Sequence, residues 1–484
     1  MLPITLKVKP GVDYQSTALQ SEGSINECNL IRFKNGQIQK LGGNNRLSAN
    51  TFTGVASAIM PWAALDDTQY IGIGTTTGLQ LLSPGSITDV TPATGAGSGD
   101  WSLDKWGQDL VGAVSNGPLC HWVPPIAFGN IAIAVPNSPP VVHGLVVAAP
   151  QQQIITWGAY SLSLATQDPM LVRWCDVSDL TVWVASPTNQ AGSFRIPSGS
   201  SIQAIQWQGL SGLLWTDLDL WTMTYIGFPG VYGFNRIAQN CGLIARRAVA
   251  SLGTVTAWLS QNDFYVTRGG TPQVLPCSVR DVIFDNLDGQ YTNNIHADAN
   301  TYFDEIKWYF PTTGSAGVCN AYVKWNVTEN LWDYSLDGCP NISAWTDQSV
   351  VGAPLGTDYS GYVQEWEASY DYDGAALNPY FQTGWFKLGG GQVSLFVERI
   401  NPDFTMRLGS EVLITVTFAD EVPEDDGLSP ERNYGPYLVT QQTPFIIVRG
   451  SGRVARLRVE STALNTTWRY GEPLARVAPD GRAP

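Results

Sequence analysis

The residues of this sequence that could do chemistry are few: three histidines, seven cysteines and several clusters of carboxylates. His121, His143 and His296 stand far apart, with neither HxH nor HxxxH spacing, so no two share a face as metal ligands on one element would. Each reads as a structural histidine on a strand. Cys28, Cys120, Cys175, Cys241, Cys277, Cys319 and Cys339 form no CxxC pair. An odd, scattered set reads as buried thiols in a reducing compartment; Cys319 and Cys339 are the one pair with a bridge to consider. There is no GxSxG elbow and no cysteine in a recognisable nucleophile context. Gly72-Ile73-Gly74-Thr75-Thr76-Thr77-Gly78 has the glycines of a phosphate loop but lacks its Lys-Ser/Thr, and reads as a hairpin turn. Glu367 to Gly374 offers carboxylates to calcium but lacks the terminal Glu of a calcium loop. No catalytic residue, cofactor or metal ligand is assigned, and the chain is not expected to be an enzyme.

Composition narrows the function classes. Formal charge is −15 and the pI about 4.6, which argues against an affinity site for nucleic acid, since tight binders neutralise phosphates with clustered Lys and Arg. It leaves room for a surface that nucleic acid slides past. With 49 Gly, 30 Pro and 18 Trp but only 14% charged residues, the chain suits short strands and turns rather than exposed amphipathic helices. Most aromatic rings at this density belong to a core, although rings also stack on sugars. The sequons at Asn326, Asn341 and Asn465 carry weight only with secretion, and the start, MLPITLKVKPGVD, has no apolar core of a signal peptide. No apolar run is long enough to span a bilayer.

The elements that must position these residues are strands. Between Ser201 and Asn235, three runs alternate apolar and polar residues: Ile202 to Trp207, Leu213 to Asp217 and Leu220 to Ile226. Such alternation with Gly-rich breaks predicts an antiparallel meander, which cannot bury both faces alone and needs copies of itself. Copies recur, centred on Tyr70-Ile71-Gly72, Leu110-Val111-Gly112, Leu145-Val146-Val147, Leu213-Leu214-Trp215, Ala257-Trp258-Leu259, Lys307-Trp308-Tyr309 and Val350-Val351-Gly352. That period matches propeller blades. The wide gap from Val146 to Leu214 holds LVRWCDVSDLTVWVA, either the outer strands of a blade or a further one. Within it Ser178 to Trp183 is similar to the aspartate-box turns of sialidase propellers, without their Gly. The expected fold is all-β: a β-propeller of six or seven blades over 51–370, with a chain of β-sandwiches as the runner-up. An N-terminal arm spans 1–50 and carries an Asn35-Gly36 hairpin. A linker at 371–380 leads to a β-sandwich-like domain over 381–470, then a tail at 471–484. The arm is too polar and Gly-rich to fold alone and is expected to pack on other parts or on another chain.

Several segments resemble the tail nozzle or hub family of short-tailed bacteriophages, also known as tail tubular protein B or packaged-DNA stabilisation proteins. They are Asn29 to Gly36 followed by Lys40-Leu41-Gly42-Gly43, Val172 to Asp176 with Trp183, Leu214 to Asp217 with Leu220 to Met223, Asn240 to Leu243, and Trp468 to Gly471. Together they are spread over most of the chain. The resemblance implies a structural virion protein, made in the host cytoplasm and assembled as a ring of six copies below the portal adaptor. That ring would contact the adaptor and the fibre or needle proteins, retain the packaged genome, and conduct double-stranded DNA during ejection without binding it specifically. Larger members carry inserted domains for which this chain has little room.

A conduit for DNA should not adhere to it, and carboxylates repel phosphate at short range. The candidate channel-lining residues are therefore Asp217, Asp219, Asp420, Glu421, Glu424, Asp425 and Asp426. The alternatives are a propeller glycoside hydrolase and a lectin-like module that binds host glycans.

Overall fold

The computed structural model describes residues 2–17, 20–83, 85–93, 99–124, 130–336, 338–347, 349–422 and 430–480. Strand makes up 52% and helix 4%, which settles the class as all-β. Seven four-stranded antiparallel sheets follow one another. Sheet I runs from Ala56–Ala63 to Ser86–Asp89, sheet II from Trp101–Trp106 to Ile133–Ala134, and sheet III from Gly144–Ala148 to Gly192–Arg195. Sheet IV runs from Ile202–Gln208 to Val231–Ala238, sheet V from Val249–Leu252 to Gln273–Val274, and sheet VI from His296–Asn300 to Leu331–Ser335. Sheet VII joins Ile342–Thr346, Leu355–Asp358 and Val363–Ser369 to a strand from far upstream, Gly43–Arg46. Trp366 faces Asn44 and Gln364 faces Arg46 in that last pairing.

The first strands of sheets I to IV adjoin in turn, as do those of sheets V to VII, and the first strand of sheet VII adjoins that of sheet I. Between sheets IV and V the link includes Gln206, whose Nε2 donates to Val249 O at 3.3 Å and whose Oε1 accepts from Ser251 Oγ at 2.6 Å. Tryptophans fill the wedges between sheets and pin the connections with their N–H groups. Trp62 donates to Gln108 O, Trp101 to Thr75 O, Trp258 to Cys241 O, Trp308 to Ala248 O and Trp345 to Ala299 O, all at 2.8–3.1 Å. An indole thus supplies apolar area and one donor that finds a carbonyl, which is how buried Trp is best satisfied. The glycines that resemble a phosphate loop serve the same packing. A Cβ on Gly74 would lie 2.4 Å from Trp101 Cβ, and one on Gly72 2.9 Å from Leu110. The segment is a hairpin, Gln69–Thr75 and Gly78–Ser83, turning at Thr76-Thr77.

Two details of the repeat differ from the expectation. Val350-Val351-Gly352 lies in the turn between the first two strands of sheet VII rather than on a strand. The wide gap before Leu214 belongs to one enlarged sheet: a small hairpin, Tyr160–Ser161 with Thr166–Gln167, is inserted in sheet III, and Leu171–Trp174 is its third strand. Among the described residues there is one α-helix, Arg280–Asn286, between sheets V and VI in the chain, which buries Val282 and Ile283.

Three further sheets contain all the remaining long strands. Leu2–Thr5 pairs with Leu474–Pro479, which pairs with Leu395–Asn401, which pairs with Ile446–Gly452. Ile25–Asn29 opens a six-stranded sheet with Tyr380–Thr383, Val454–Glu460, Val412–Ala419 and Arg432–Val439, where Phe386–Lys387 also pairs with Val454–Glu460. The hairpin Ile31–Lys34/Gln37–Lys40 continues through Trp468–Tyr470 to Phe404–Met406. Residues 1–50, expected to pack on other parts or on another chain, supply strands to these three sheets and to sheet VII. The segment 471–484, expected as a tail, holds the strand Leu474–Pro479 with a partner on each side. Its alternation turns Ala475 and Val477 inward.

A buried ion cluster fixes these sheets against sheets VI and VII. Arg32 donates to both oxygens of Glu305 at 3.0 Å and to both of Glu367 at 3.0 and 2.5 Å. Lys324 Nζ donates to Glu305 at 2.9 Å and to Ile31 O at 3.0 Å, and lies 3.3 Å from Asp333. Arg32, Glu305, Lys324 and Asp333 are each at most 3% exposed. All seven cysteines are free thiols, Cys319 and Cys339 included. Among the described residues no helix is long and apolar enough to cross a membrane.

Candidate functional site

Every one of sheets I to VII contributes to a single central cavity of about 370 Å³. Its wall is made mostly by first strands, with Ser57 to Ile59 of sheet I, Trp101 to Leu103 of sheet II and Ala204 to Gln206 of sheet IV, while sheet III contributes Trp157 from the end of its second strand, Gln153–Trp157. Charge enters from the connections. Arg246 and Arg247 lie on the segment that crosses from sheet IV to sheet V, Asp100 just before sheet II, and His143 just before sheet III. His296 and Asp298 come from the first strand of sheet VI.

The two arginines are held in place by carbonyls and hydroxyls. Arg246 Nη1 donates to Ser115 Oγ and, at 3.2 Å, to His143 O. Arg247 Nη1 donates to Ser57 O at 3.1 Å and Ser343 O at 2.9 Å, bridging sheets I and VII, while its Nη2 stands 3.6 Å from Asp100. The backbone carbonyl of Arg247 accepts from Ala297 N at 2.7 Å, which locks the crossing segment to sheet VI. Gly158, at φ +56°, lets the chain pass His143; a Cβ there would sit 2.3 Å from His143 Nδ1.

Burial sets the protonation states. It drives the His296 imidazole down to about 3, helped by Arg247, and His143 down to about 4, helped by Arg246. It pushes Asp298 well above the carboxylate range, against the pull of Lys307 and Arg247. It also lowers Arg246, which Asp100 partly opposes. Both imidazoles are thus neutral at pH 7, and burial disfavours the charge on Asp298. His296 Nδ1 lies 3.3 Å from Asn294 O, which makes Nδ1 the protonated nitrogen and leaves Nε2 as an acceptor. That Nε2 faces Asp298 Oδ2 across 3.8 Å, too far for a hydrogen bond.

Five buried polar atoms of the wall have no hydrogen-bond partner: His143 Nδ1, Trp157 Nε1, Arg247 Nε, His296 Nε2 and Asp298 Oδ2. Isolated in sequence, His143 and His296 are brought to one wall. The third histidine pairs with Asp109 at 2.9 Å within sheet II. Sequence reasoning passed over Arg246-Arg247; adjacent arginines in a segment this poor in basic residues were the available signal.

The carboxylates proposed to line a channel are placed separately. Asp217 and Asp219 belong to the turn between Ser211–Thr216 and Leu220–Gly227. Asp217 accepts from Ser200 N at 2.8 Å and Ser201 N at 3.3 Å; burial raises its carboxyl, but these bonds and that of Ser200 Oγ hold it below the usual range. Asp219 is buried and accepts from Ser198 Oγ at 2.6 Å and Arg236 at 3.4 Å. Asp420 takes both terminal nitrogens of Arg432, at 2.9 and 3.1 Å, and Glu421 beside it is exposed. Glu424, Asp425 and Asp426 lie outside the described residues. The calcium-loop candidate disperses: Glu367 turns to Arg32, Asp371 to Asn465 N and Asp373 to Arg46. Among the described residues no cluster of three His, Cys, Asp or Glu is placed to hold a metal ion.

Charge is distributed unevenly. Residues 51–370 contain 10 of the 27 basic and 25 of the 42 acidic residues, so that segment carries the whole net charge of −15. Comparison with models of known protein families finds no match, and no curated protein is similar to the chain at a significant level.

Proposed function

We propose that sheets I to VII are the blades of a closed seven-bladed propeller, and that the protein is a structural subunit of a phage tail. In this reading six copies form a ring below the portal adaptor, which retains packaged DNA and lets it pass. The observation that carries it is the welding of the chain. Strands from residues 1–50 complete sheet VII and enter all three C-terminal sheets, and the buried Arg32 cluster clamps the two parts together. A body so interlocked transmits load without a hinge, which suits masonry better than a lid or a switch.

Two further features support it. Leu2–Thr5 and Arg432–Val439 are terminal strands of their sheets, and Leu2, Leu438, Phe445 and Ile447 are exposed near those margins. Uncovered strand edges are templates for pairing with another chain. The acidity of 51–370 keeps a passing duplex from adhering.

Cryo-electron microscopy of the purified protein, alone and mixed with its phage's adaptor, tests the assignment. Sixfold rings in either sample support it, together with no retention of duplex DNA at about 50 mM salt, where electrostatic binding is strong. A persistent monomer that depolymerises a polysaccharide would overturn it.

A further inference from the structure

The central cavity holds more uncompensated polarity than packing requires. Buried polar atoms are nearly always hydrogen-bonded, and a cluster of exceptions calls for a specific occupant. Here five unpartnered atoms share one wall, and three of their side chains, Trp157, His296 and Asp298, are at least nine-tenths buried. We propose that this cavity is a binding site for a small polyhydroxylated monocarboxylate, of the size and chemistry of a hexuronic acid.

The charge of the wall selects the anion. Arg246 and Arg247 line it together, Asp100 stands 3.6 Å from Arg247, and burial disfavours the charge on the other carboxylate of the wall, Asp298. Guanidinium groups take carboxylates in a planar, paired geometry. The hydrogen bonds of Arg246 to Ser115 and His143 both use Nη1, and Arg247 has Nε to give.

The remaining free atoms select what the carboxylate is attached to. Trp157 Nε1 is a donor, His296 Nε2 an acceptor, and Asp298 Oδ2 and His143 Nδ1 complete a mixed set. Hydroxyl groups both donate and accept, so a polyol satisfies such a set where a plain fatty or aromatic acid cannot. The half-buried ring of Trp345 provides an apolar surface beside it. At about 370 Å³ the cavity lies at the small end of ligand sites, enough for a single sugar ring with some water. The inference does not depend on assembly into a tail.

Isothermal titration of the full chain at pH 7 with sodium D-glucuronate, D-glucose, D-glucuronamide and inorganic phosphate decides it. The expected result is one-to-one binding of glucuronate, with glucose and the amide at least about tenfold weaker. Arg246→Gln is expected to weaken glucuronate by about tenfold or more with an unchanged thermal midpoint. Arg247 also ties sheets I and VII, so its replacement risks the fold; the ligand series on the unaltered protein does not. No heat with glucuronate, meaning a cavity filled by water alone, would overturn the proposal. So would equal binding of glucose and glucuronate, or phosphate binding more tightly than either.

Discussion

Arg32 and Glu305 meet through two parallel hydrogen bonds of 3.0 Å, each side chain 1% exposed, although 273 residues separate them in the chain. Burial raises the Glu305 carboxyl, but Arg32, Lys324 and Lys307 outweigh it and hold it down at about 2. Removing one member of a buried pair strands its partner's charge, which costs about 3–5 kcal/mol. Arg32→Met is therefore expected to lose stability on that scale in urea unfolding, because Glu305 and Glu367 lose their cation together. A loss below about 1 kcal/mol, as for a solvated surface pair, would show that the cluster does not clamp the two parts.

Gly74 is expected to tolerate no side chain. A Cβ there would press on Trp101 Cβ and Cγ, both 2.4 Å away, and these atoms are backbone-proximal and fixed. Gly74→Ala should destabilise the protein by about 1–3 kcal/mol, read as a lowered urea midpoint. Unchanged stability would mean that sheets I and II pack more loosely than this contact requires.

Removing residues 1–45 should abolish the soluble fold rather than trim it. The deletion strips Gly43 to Asn45 from sheet VII and takes every N-terminal strand from the three other sheets. Hydrogen exchange on any soluble product reads the outcome; native-like protection in Val363–Ser369 would show that this strand does not need its pairing with Gly43–Arg46.

Acid sensitivity is expected from the cavity histidines. Their folded-state values, about 4 for His143 and about 3 for His296, lie below the ordinary 6.5, so unfolding takes up protons in that interval. Their contribution to stability is full above about pH 6.5 and declines as the pH falls toward 4. Asp333, pushed up to about 7 by burial, acts in the opposite sense: its contribution is greatest at low pH and declines as the pH rises from 3.8 to 7. The variant His296→Gln separates the two. Its urea midpoint should fall less steeply than that of the wild type between pH 6.5 and 4, whatever its stability at pH 8. Parallel profiles would remove His296 from the account.

Local pattern was legible in the sequence and distant pairing was not. The meander after Ser201 forms strands at Ile202–Gln208, Ser211–Thr216 and Leu220–Gly227, close to where alternation places them. Asn35 and Gly36 both take positive φ, +54° and +69°, as the two-residue turn between Lys34 and Gln37 demands. By contrast nothing in Ile25–Asn29 announces that Cys28 will face Phe381. Leu474–Pro479 looked like a tail because it is short and bracketed by Pro473 and Pro479, and its place is set by neighbours on both sides. The cavity was hidden for the same reason. His143, Arg246, Arg247 and His296 come together only once seven separate sheets are arranged around them.

The pairing of Leu2 with Val477 constrains how the molecule is made. Strands more than four hundred residues apart share one sheet, so the early one must wait, exposed, while the ribosome adds the residues between them. At about 5–20 residues per second that is roughly half a minute or longer. This sheet should thus form only after Val477 has emerged, by slow long-range pairing, and a chaperone that shelters the early strands should raise the yield.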